Sequence, residues 1–228
     1  SAWINIKIPR NVKPGIYNGS IEVTADELEK AYTFDYSFEV LNLVQPLPRE
    51  TNTQIEFWQH PYTIARYYKI SKEDLFTEKH FKYLRGNLKE YRDMGGRGVI
   101  ANIVEEAWNH QSYDSDPSMI KWIKKSNGTF EFDYTHFDKW IQFNVDLGIL
   151  YPEKGFGQIK CYSIVPWNNR IQYFNEATNK EEAINPNPGS DLWINIWTQF
   201  LTSFMSHLEE KGWFNITYIS MDERSMDD

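Results

Sequence analysis

Two adjacent carboxylates, Asp222 and Glu223, are of a residue type and spacing that could do acid–base chemistry. They follow a short apolar run, residues 215–221, that is typical of a β-strand. Neighbouring side chains on a regular strand point to opposite faces, so both acids can serve one site only where the strand ends and the backbone turns. A solvated acidic turn is the alternative interpretation, because such turns are common at strand ends.

Paired carboxyl groups of this kind can cleave glycosidic bonds. Ordinary retaining glycosidases hold two carboxyl groups ~5–5.5 Å apart on either side of the bond. Adjacent acids favour instead the substrate-assisted variant, in which the 2-acetamido oxygen of the sugar is the nucleophile. One carboxylate then steadies the acetamido N–H, and the other protonates the departing oxygen. A second adjacent pair, Glu105 and Glu106, has the same spacing, and spacing alone does not separate the two pairs.

The elements that must position these acids alternate between strand and helix. Strands are predicted at residues 54–58, 98–104, 158–167 and 215–221. Glycines at positions 95, 148 and 212 are predicted to end the intervening helices. Such alternation produces a parallel sheet with crossover helices, and both a doubly wound sheet and a (β/α)₈ barrel fit it. In either fold the chemistry collects at the carboxyl ends of the strands.

The segment after the first of these strands favours the barrel. Residues 57–62 read FWQHPY, which is bulky and aromatic where a nucleotide-binding fold would have a glycine-rich phosphate loop. A full barrel needs ~250 residues. We therefore predict an α/β fold in which residues 54–228 form the first half of a glycosidase-type (β/α)₈ barrel, with about four strands.

The beginning of the chain has a different hydrophobic periodicity. Residues 3–9, 16–25 and 31–43 alternate with a period of two and are joined by short loops, which indicates antiparallel strands. We predict that residues 1–45 are the C-terminal part of a β-sandwich domain. Residues 46–53, with two prolines and no periodicity, are predicted to be the linker.

Composition narrows the class of partner. The net charge is −8 and no cluster of Lys or Arg is present, which excludes nucleic acid and anionic membrane surfaces as natural partners. No run approaches the ~20 apolar residues of a membrane span. Aromatic residues make up 16% of the chain, and their flat rings suit the C–H faces of sugars as well as a hydrophobic core. The histidines lack paired spacing and Cys161 is the only cysteine, so we predict neither a metal site nor any other cofactor.

Two segments carry a resemblance to a known family. Residues 57–68 (FWQHPYTIARYY) and residues 218–224 (YISMDER) resemble glycoside hydrolase family 123. The opening of the chain, residues 3–9 (WINIKIP) followed by residues 14–17 (PGIY), is similar to that family in type. The resemblance covers nearly the whole chain at the level of architecture, although its specific motifs are confined to these segments.

The resemblance implies a fold and an activity. Members of the family join an N-terminal β-sandwich to a (β/α)₈ barrel and release β-linked N-acetylgalactosamine from glycans by the substrate-assisted route. By resemblance, Asp222 orients and polarises the acetamido group, and Glu223 is the general acid and then the general base. The chain stops at Asp228, before the later barrel strands, so we expect it to be inactive alone. The family's usual work on external glycans implies a periplasmic or extracellular bacterial enzyme.

Candidate substrate-binding residues follow the predicted strands. They are Trp58, His60, Trp108, Tyr113, Trp167 and Asn168. Trp167 is either a stacking platform for a sugar or a hydrophobic plug at the barrel rim, and His60 is either a ligand or a structural histidine. Glu56 is predicted to point into the barrel, where a buried acid needs a partner, and Arg66 is the candidate for that partner.

Two other functions remain open from the sequence. One is a glycan-binding protein that uses the same site without chemistry. The other is a conventional two-carboxylate glycosidase whose nucleophile lies outside these residues.

Overall fold

The structure, a computed structural model, describes residues 3–51 and 53–223. The chain divides into two compact units between Leu47 and Pro48. This division falls within the predicted linker, residues 46–53. The assignment of the two units to a sandwich domain and a barrel domain stays a prediction.

The first unit contains an antiparallel strand pair, β1 (Gly15–Val23) and β2 (Tyr32–Val40). The register runs from Gly15 opposite Val40 to Val23 opposite Tyr32. The rings of Tyr17 and Phe38 are cross-strand neighbours and stack with their centroids 5.8 Å apart.

The strand predicted at residues 3–9 is wrong, because this segment has no strand conformation. The alternating isoleucines at positions 4, 6 and 8 are exposed, and no strand of the described part of this unit pairs with them. A period of two forms a strand only where a neighbouring strand accepts its hydrogen bonds.

The second unit contains the remaining elements. Its strands are β3 (Gly98–Asn102), β4 (Lys121–Lys124), β5 (Phe130–Asp133), β6 (Gln158–Tyr162), β7 (Ile171–Asn175), β8 (Lys180–Ile184) and β9 (Thr217–Ser220). Its α-helices are α1 (Pro61–Tyr67), α2 (Glu78–Asp93), α3 (Thr135–Asp146) and α4 (Asp191–Lys211). Short 3₁₀ helices lie at Pro48–Glu50, Lys72–Asp74, Pro152–Lys154 and Phe214–Ile216.

A three-stranded parallel sheet, in the order β3-β6-β9, forms the centre of this unit. Helix α3 connects β3 to β6, and α4 connects β6 to β9, as the alternating pattern predicts. The predicted strand at residues 54–58 is reduced to a single parallel bridge between Ile55 and Gly96. The unit is therefore a mixed α/β fold, and its described strands do not close into a barrel.

A second sheet of four strands, in the order β5-β4-β7-β8, was not predicted. It is made from two hairpins inserted after β3 and after β6, with β4 parallel to β7. Its strands β4 (KWIK) and β8 (KEEAI) are rich in charged residues. Charged strands lack the apolar alternation by which a strand is identified in a sequence.

The aromatic residues of α3 and α4 form the core, as the helical spacing predicts. The fully buried ones include Phe137, Trp140, Phe200 and Phe204. The indole nitrogen of Trp140 donates to the carbonyl of Ile100 in β3 at 2.8 Å, which fixes α3 on the central sheet.

The predicted ends of α4 are confirmed. The hydroxyl of Ser190 accepts from the backbone N–H of Trp193 at 3.2 Å and caps the first turn. Gly212 ends the helix with a φ of 71°, a conformation that favours glycine. No helix among residues 3–51 and 53–223 has the length and apolar content needed to span a bilayer.

Candidate active site

The carboxyl ends of the three parallel strands lie at one edge of the central sheet. Asn102 of β3 is in register with Tyr162 of β6, and Tyr162 is in register with Ser220 of β9. The segments that leave these strands carry most of the predicted site residues. Parallel pairing therefore brings Trp108, Trp167 and Asp222 to the same side of the sheet.

Asp222 is held by an indole. The Nε1–H of Trp167 donates to Asp222 Oδ2 at 2.6 Å, which is short for a nitrogen donor and typical of a bond to a charged acceptor. The backbone N–H of Trp167 in turn donates to the carbonyl of Ala107 at 3.3 Å. The loops after β3 and β6 thus fix the indole that orients the carboxylate at the end of β9.

Tyr162, the last residue of β6, lies close enough to Asp222 to interact electrostatically with its carboxylate. Partial burial raises the pKa of the Tyr162 phenol, and the negative charge of Asp222 raises it further. The Tyr162 hydroxyl is therefore protonated at neutral pH and is available as a hydrogen-bond donor. Sequence reasoning missed Tyr162, although its place at a strand end was a signal that could have identified it.

Glu223 follows directly and is exposed. It makes no hydrogen bond to any of the residues that the structure describes. Its neighbour in the resembling motif, Arg224, lies outside the described residues. Of the two acids, Asp222 is thus held in place, and Glu223 faces solvent beside it.

Three aromatic rings form a layer next to Asp222. Trp58 lies 4.9 Å from Trp108 and 6.2 Å from Tyr162, and Trp108 lies 5.3 Å from Tyr162, all between ring centroids. We call Trp58, Trp108 and Tyr162 the aromatic layer. Trp58 is 40% exposed whereas Trp108 is 4% exposed, so Trp58 is the ring whose face a sugar can reach.

His60 lies at the edge of this layer, its ring 6.4 Å from that of Trp58. It directly precedes α1, and its Nδ1 is buried with no hydrogen-bond partner among the described residues. The buried carboxyl of Asp116 is close enough for the two groups to interact electrostatically. Asp116 accepts from the hydroxyl of Ser112 at 2.9 Å and was not among the predicted site residues.

Two of the predicted binding residues have other roles in the structure. Tyr113 is 90% exposed, and the guanidinium of Arg66 lies 4.8 Å from the centre of its ring. The side chain of Asn168 accepts from the backbone N–H of Arg170 at 2.9 Å and holds the turn after β6. Their part in binding stays a prediction.

Arg66 pairs with Asp114 rather than with Glu56. The guanidinium holds the pKa of the Asp114 carboxyl below its usual range. The partner of Glu56 is Lys160 of β6, so the pairing predicted for Glu56 is wrong. Lys160 could not be identified from the sequence as the partner of Glu56, because the packing of parallel segments, and not a local contact along the chain, brings the two residues together.

The two side chains of the second adjacent acid pair, Glu105 and Glu106, make structural contacts. Glu105 forms an ion pair with Arg170. Glu106 is buried and accepts from the backbone N–H groups of His110 and Asp116, each at 3.1 Å. These contacts hold the loop between β3 and β4, so Glu106 has little freedom to act on a substrate.

Metal binding has no candidate in the described part of the chain. No group of three or more His, Cys, Asp or Glu side chains is arranged there to hold an ion.

Two comparisons with known proteins identify the same family. Residues 58–228 match the sequence model of the glycoside hydrolase 123 catalytic domain. A solved structure of a family 123 glycoside hydrolase from Clostridium perfringens, studied for glycolipid glycan hydrolysis, superposes with a TM-score of 0.92 at 92% sequence identity. The match covers 98% of the present chain and 38% of the chain in that structure. No curated protein sequence matches the chain.

Proposed function

The chain belongs to glycoside hydrolase family 123, and we propose that its protein releases β-linked N-acetylgalactosamine from glycans with retention of configuration. The reaction proposed is substrate-assisted, with the acetamido oxygen of the sugar as the nucleophile. Glycolipid glycans, on which the Clostridium perfringens relative acts, are the proposed source of the terminal sugar.

The observation that carries this proposal is the bond from Trp167 to Asp222 beside the aromatic layer. An indole donor on Oδ2 fixes the carboxylate and leaves Oδ1 to accept from the acetamido N–H. When Oδ1 accepts a hydrogen bond from the acetamido N–H, the negative charge on the acetamido oxygen increases. This oxygen then attacks the anomeric carbon. The ring of Trp58 offers an apolar face for the sugar near the same carboxylate.

Glu223 has the complementary role in this proposal. Its exposure suits a group that must meet the bond between the terminal sugar and the rest of the glycan. Glu223 donates a proton to the departing oxygen as the C–O bond breaks, and the sugar closes to an oxazolinium ion whose N–H stays hydrogen-bonded to Asp222. Glu223 then takes a proton from the water that opens this ring at the anomeric carbon. Two displacements at the anomeric carbon give net retention.

The architecture is part of the proposal. We propose that the sheet β3-β6-β9, with Ile55 bridged beside β3, belongs to the first half of a (β/α)₈ barrel, and the parallel order of these strands supports this proposal. We take the pair β1 and β2 to belong to a β-sandwich that precedes it. Because the chain spans 38% of the Clostridium perfringens chain, the activity of the whole protein is proposed from this part. A periplasmic or extracellular location is proposed from the family resemblance.

The stereochemistry and the intermediate test this proposal. The full-length natural protein should hydrolyse an aryl β-N-acetylgalactosaminide, and proton NMR of the first-formed sugar should show the β-anomer. A thiazoline mimic of the oxazoline should inhibit competitively. Release of the α-anomer would contradict retention. Retention without thiazoline inhibition would select a conventional two-carboxylate glycosidase, and binding without turnover would select a glycan-binding protein.

A further inference from the structure

A small cavity lies beside the aromatic layer. It has a volume of about 140 Å³, roughly ten times the ~10–15 Å³ that one water molecule needs. Its lining residues are Trp58, His60, Trp108, Gln111, Ser112 and Asp116. We call this cavity the Asp116 pocket.

Unused hydrogen-bonding groups surround the pocket. Trp108 is 4% exposed, and its Nε1–H has no acceptor among the described residues. The buried Nδ1 of His60 likewise has no partner in that part of the chain. Buried polar atoms are nearly always paired in folded proteins, so two atoms without a protein partner on the same pocket are available to a bound ligand.

Asp116 supplies the pocket with a carboxylate. The side chain is buried, and one oxygen accepts from Ser112. A carboxylate oxygen can accept more than one hydrogen bond, so Asp116 can also accept from a ligand hydroxyl. Donors on Trp108 and Gln111 and an acceptor on Asp116, beside the flat ring of Trp58, match the chemistry of a sugar's hydroxyl-bearing edge.

The position of the pocket relates it to the proposed reaction. Tyr162 contacts both Trp58 and Trp108 and also senses the charge of Asp222. The pocket and Asp222 thus both adjoin the aromatic layer. A sugar whose acetamido group meets Asp222 would present the opposite edge of its ring, with the C4 hydroxyl and the C6 hydroxymethyl group, to the pocket.

We infer that the Asp116 pocket binds this opposite edge of the terminal amino sugar, with Asp116 as the residue that accepts from its hydroxyls. This inference rests on the proposed function for the placement of the acetamido group. It makes Asp116 a specificity-determining residue, because galactose-configured and glucose-configured amino sugars differ in the direction of the C4 hydroxyl. A buried acceptor left without its hydroxyl discriminates strongly against the sugar that lacks it.

Binding measurements with matched sugars test the inference. Isothermal titration calorimetry would compare N-acetylgalactosamine with its 4-deoxy and 6-deoxy analogues on the full-length natural protein and on Asp116→Asn. We expect Asp116→Asn to weaken binding of N-acetylgalactosamine about 10- to 100-fold, as for hydrogen bonds to a charged acceptor. At least one deoxy analogue should bind both proteins with the same affinity, because it lacks the hydroxyl that Asp116 recognises.

Two further variants keep the result interpretable. Asp114→Asn removes a carboxylate two positions away that pairs with Arg66 and does not line the pocket, so its effect should be the same for all three sugars. Trp108→Phe removes the unpaired indole N–H and keeps an aromatic ring, and it should weaken N-acetylgalactosamine binding. This second variant tests the pocket even where Asp116→Asn fails to fold.

The outcomes separate the inference from the proposed function. Equal loss of affinity for all three sugars in Asp116→Asn, no loss at all, or no binding of any sugar by the wild type would overturn the inference. Turnover that survives replacement of Glu223 would overturn the proposed function and leave the sugar-binding comparison intact.

Discussion

The indole nitrogen of Trp167 lies 2.6 Å from Oδ2 of Asp222, although the two residues are 55 positions apart in the chain. This bond joins the loop after β6 to the end of β9, which is paired with β6 along the sheet. It changes the interpretation of Trp167, for which the sequence offered only a stacking platform or a hydrophobic plug. The indole has a polar role, and the functional importance of that role can be tested.

Removing the indole N–H should impair catalysis more than binding. In Trp167→Phe the Asp222 carboxylate loses a charge-assisted donor and becomes free to rotate. We expect kcat to fall about 10- to 100-fold with KM changed less than about threefold, because orientation matters most in the transition state. The measurement is steady-state kinetics on an aryl β-N-acetylgalactosaminide.

A fall in affinity alone would show that Trp167 acts only as a stacking surface. Trp193→Phe is a matched control, since this tryptophan lies on α4 with its ring 6.1 Å from that of Trp197 and makes no hydrogen bond to Asp222. Its kcat should stay close to that of the wild type.

The second acid pair should prove structural. Glu106→Ala leaves the backbone N–H groups of His110 and Asp116 without their acceptor. Each unsatisfied group costs ~1–3 kcal/mol, so for the two groups together we expect the free energy of unfolding to fall by about 2–6 kcal/mol. Chemical denaturation measures this loss.

Glu105→Gln breaks an ion pair with Arg170 and should retain kcat to within a few-fold. A loss of kcat in Glu105→Gln as large as that in Glu223→Gln would make the first pair catalytic and contradict this account.

Asp116 should make stability depend on pH. Burial raises the pKa of its carboxyl, and the charges of Glu106 and Asp114 raise it further, while the hydrogen bond from Ser112 and the nearby His60 act in the opposite direction. With the folded pKa above the unfolded one, the stabilisation is complete below the unfolded pKa. It is lost as the pH rises through the folded pKa.

Asp116→Asn removes this titration. We therefore expect the free energy of unfolding of the variant, relative to the wild type, to increase as the pH rises above the ordinary aspartate pKa of about 3.9. Denaturation curves at several pH values measure the difference. A difference that is constant across these pH values would show that Asp116 does not titrate in this way.

Cys161 should be inert in the folded protein. It is fully buried in β6, and burial raises the pKa of its thiol. Because the thiolate is the reactive form, a disulfide reagent should modify Cys161 at least ~100-fold more slowly in the native state than in denaturant. A Cys161→Ser variant identifies the signal of this thiol. Fast modification of the native protein would contradict the burial of β6.

Local patterns in the sequence predicted the elements whose residues interact with near neighbours. The apolar spacing of α3 and α4, the Ser190 cap and the glycine at position 212 describe single helices, and all are confirmed. The adjacent acids and the aromatic residues after each strand were likewise readable, because their placement follows from strand ends alone.

Contacts made by tertiary packing could not be predicted from the sequence. The bond from Trp167 to Asp222, the pairing of Glu56 with Lys160 and the burial of Asp116 depend on how separate loops meet. The strand predicted at residues 3–9 failed for the same reason, since its pattern is correct but no described strand pairs with it. Periodicity reports which face of an element is apolar and gives no information about which neighbour covers it.

The most direct test of the account is the value of kcat/KM for Glu223→Gln relative to the wild type. The assay uses the full-length natural protein and an aryl β-N-acetylgalactosaminide. General acid–base catalysis by one side chain contributes about 10²- to 10⁴-fold, and we predict a loss in that range while the melting temperature is retained. A value of kcat/KM within about threefold of the wild type would contradict the assignment of the Asp222–Glu223 pair as the catalytic site.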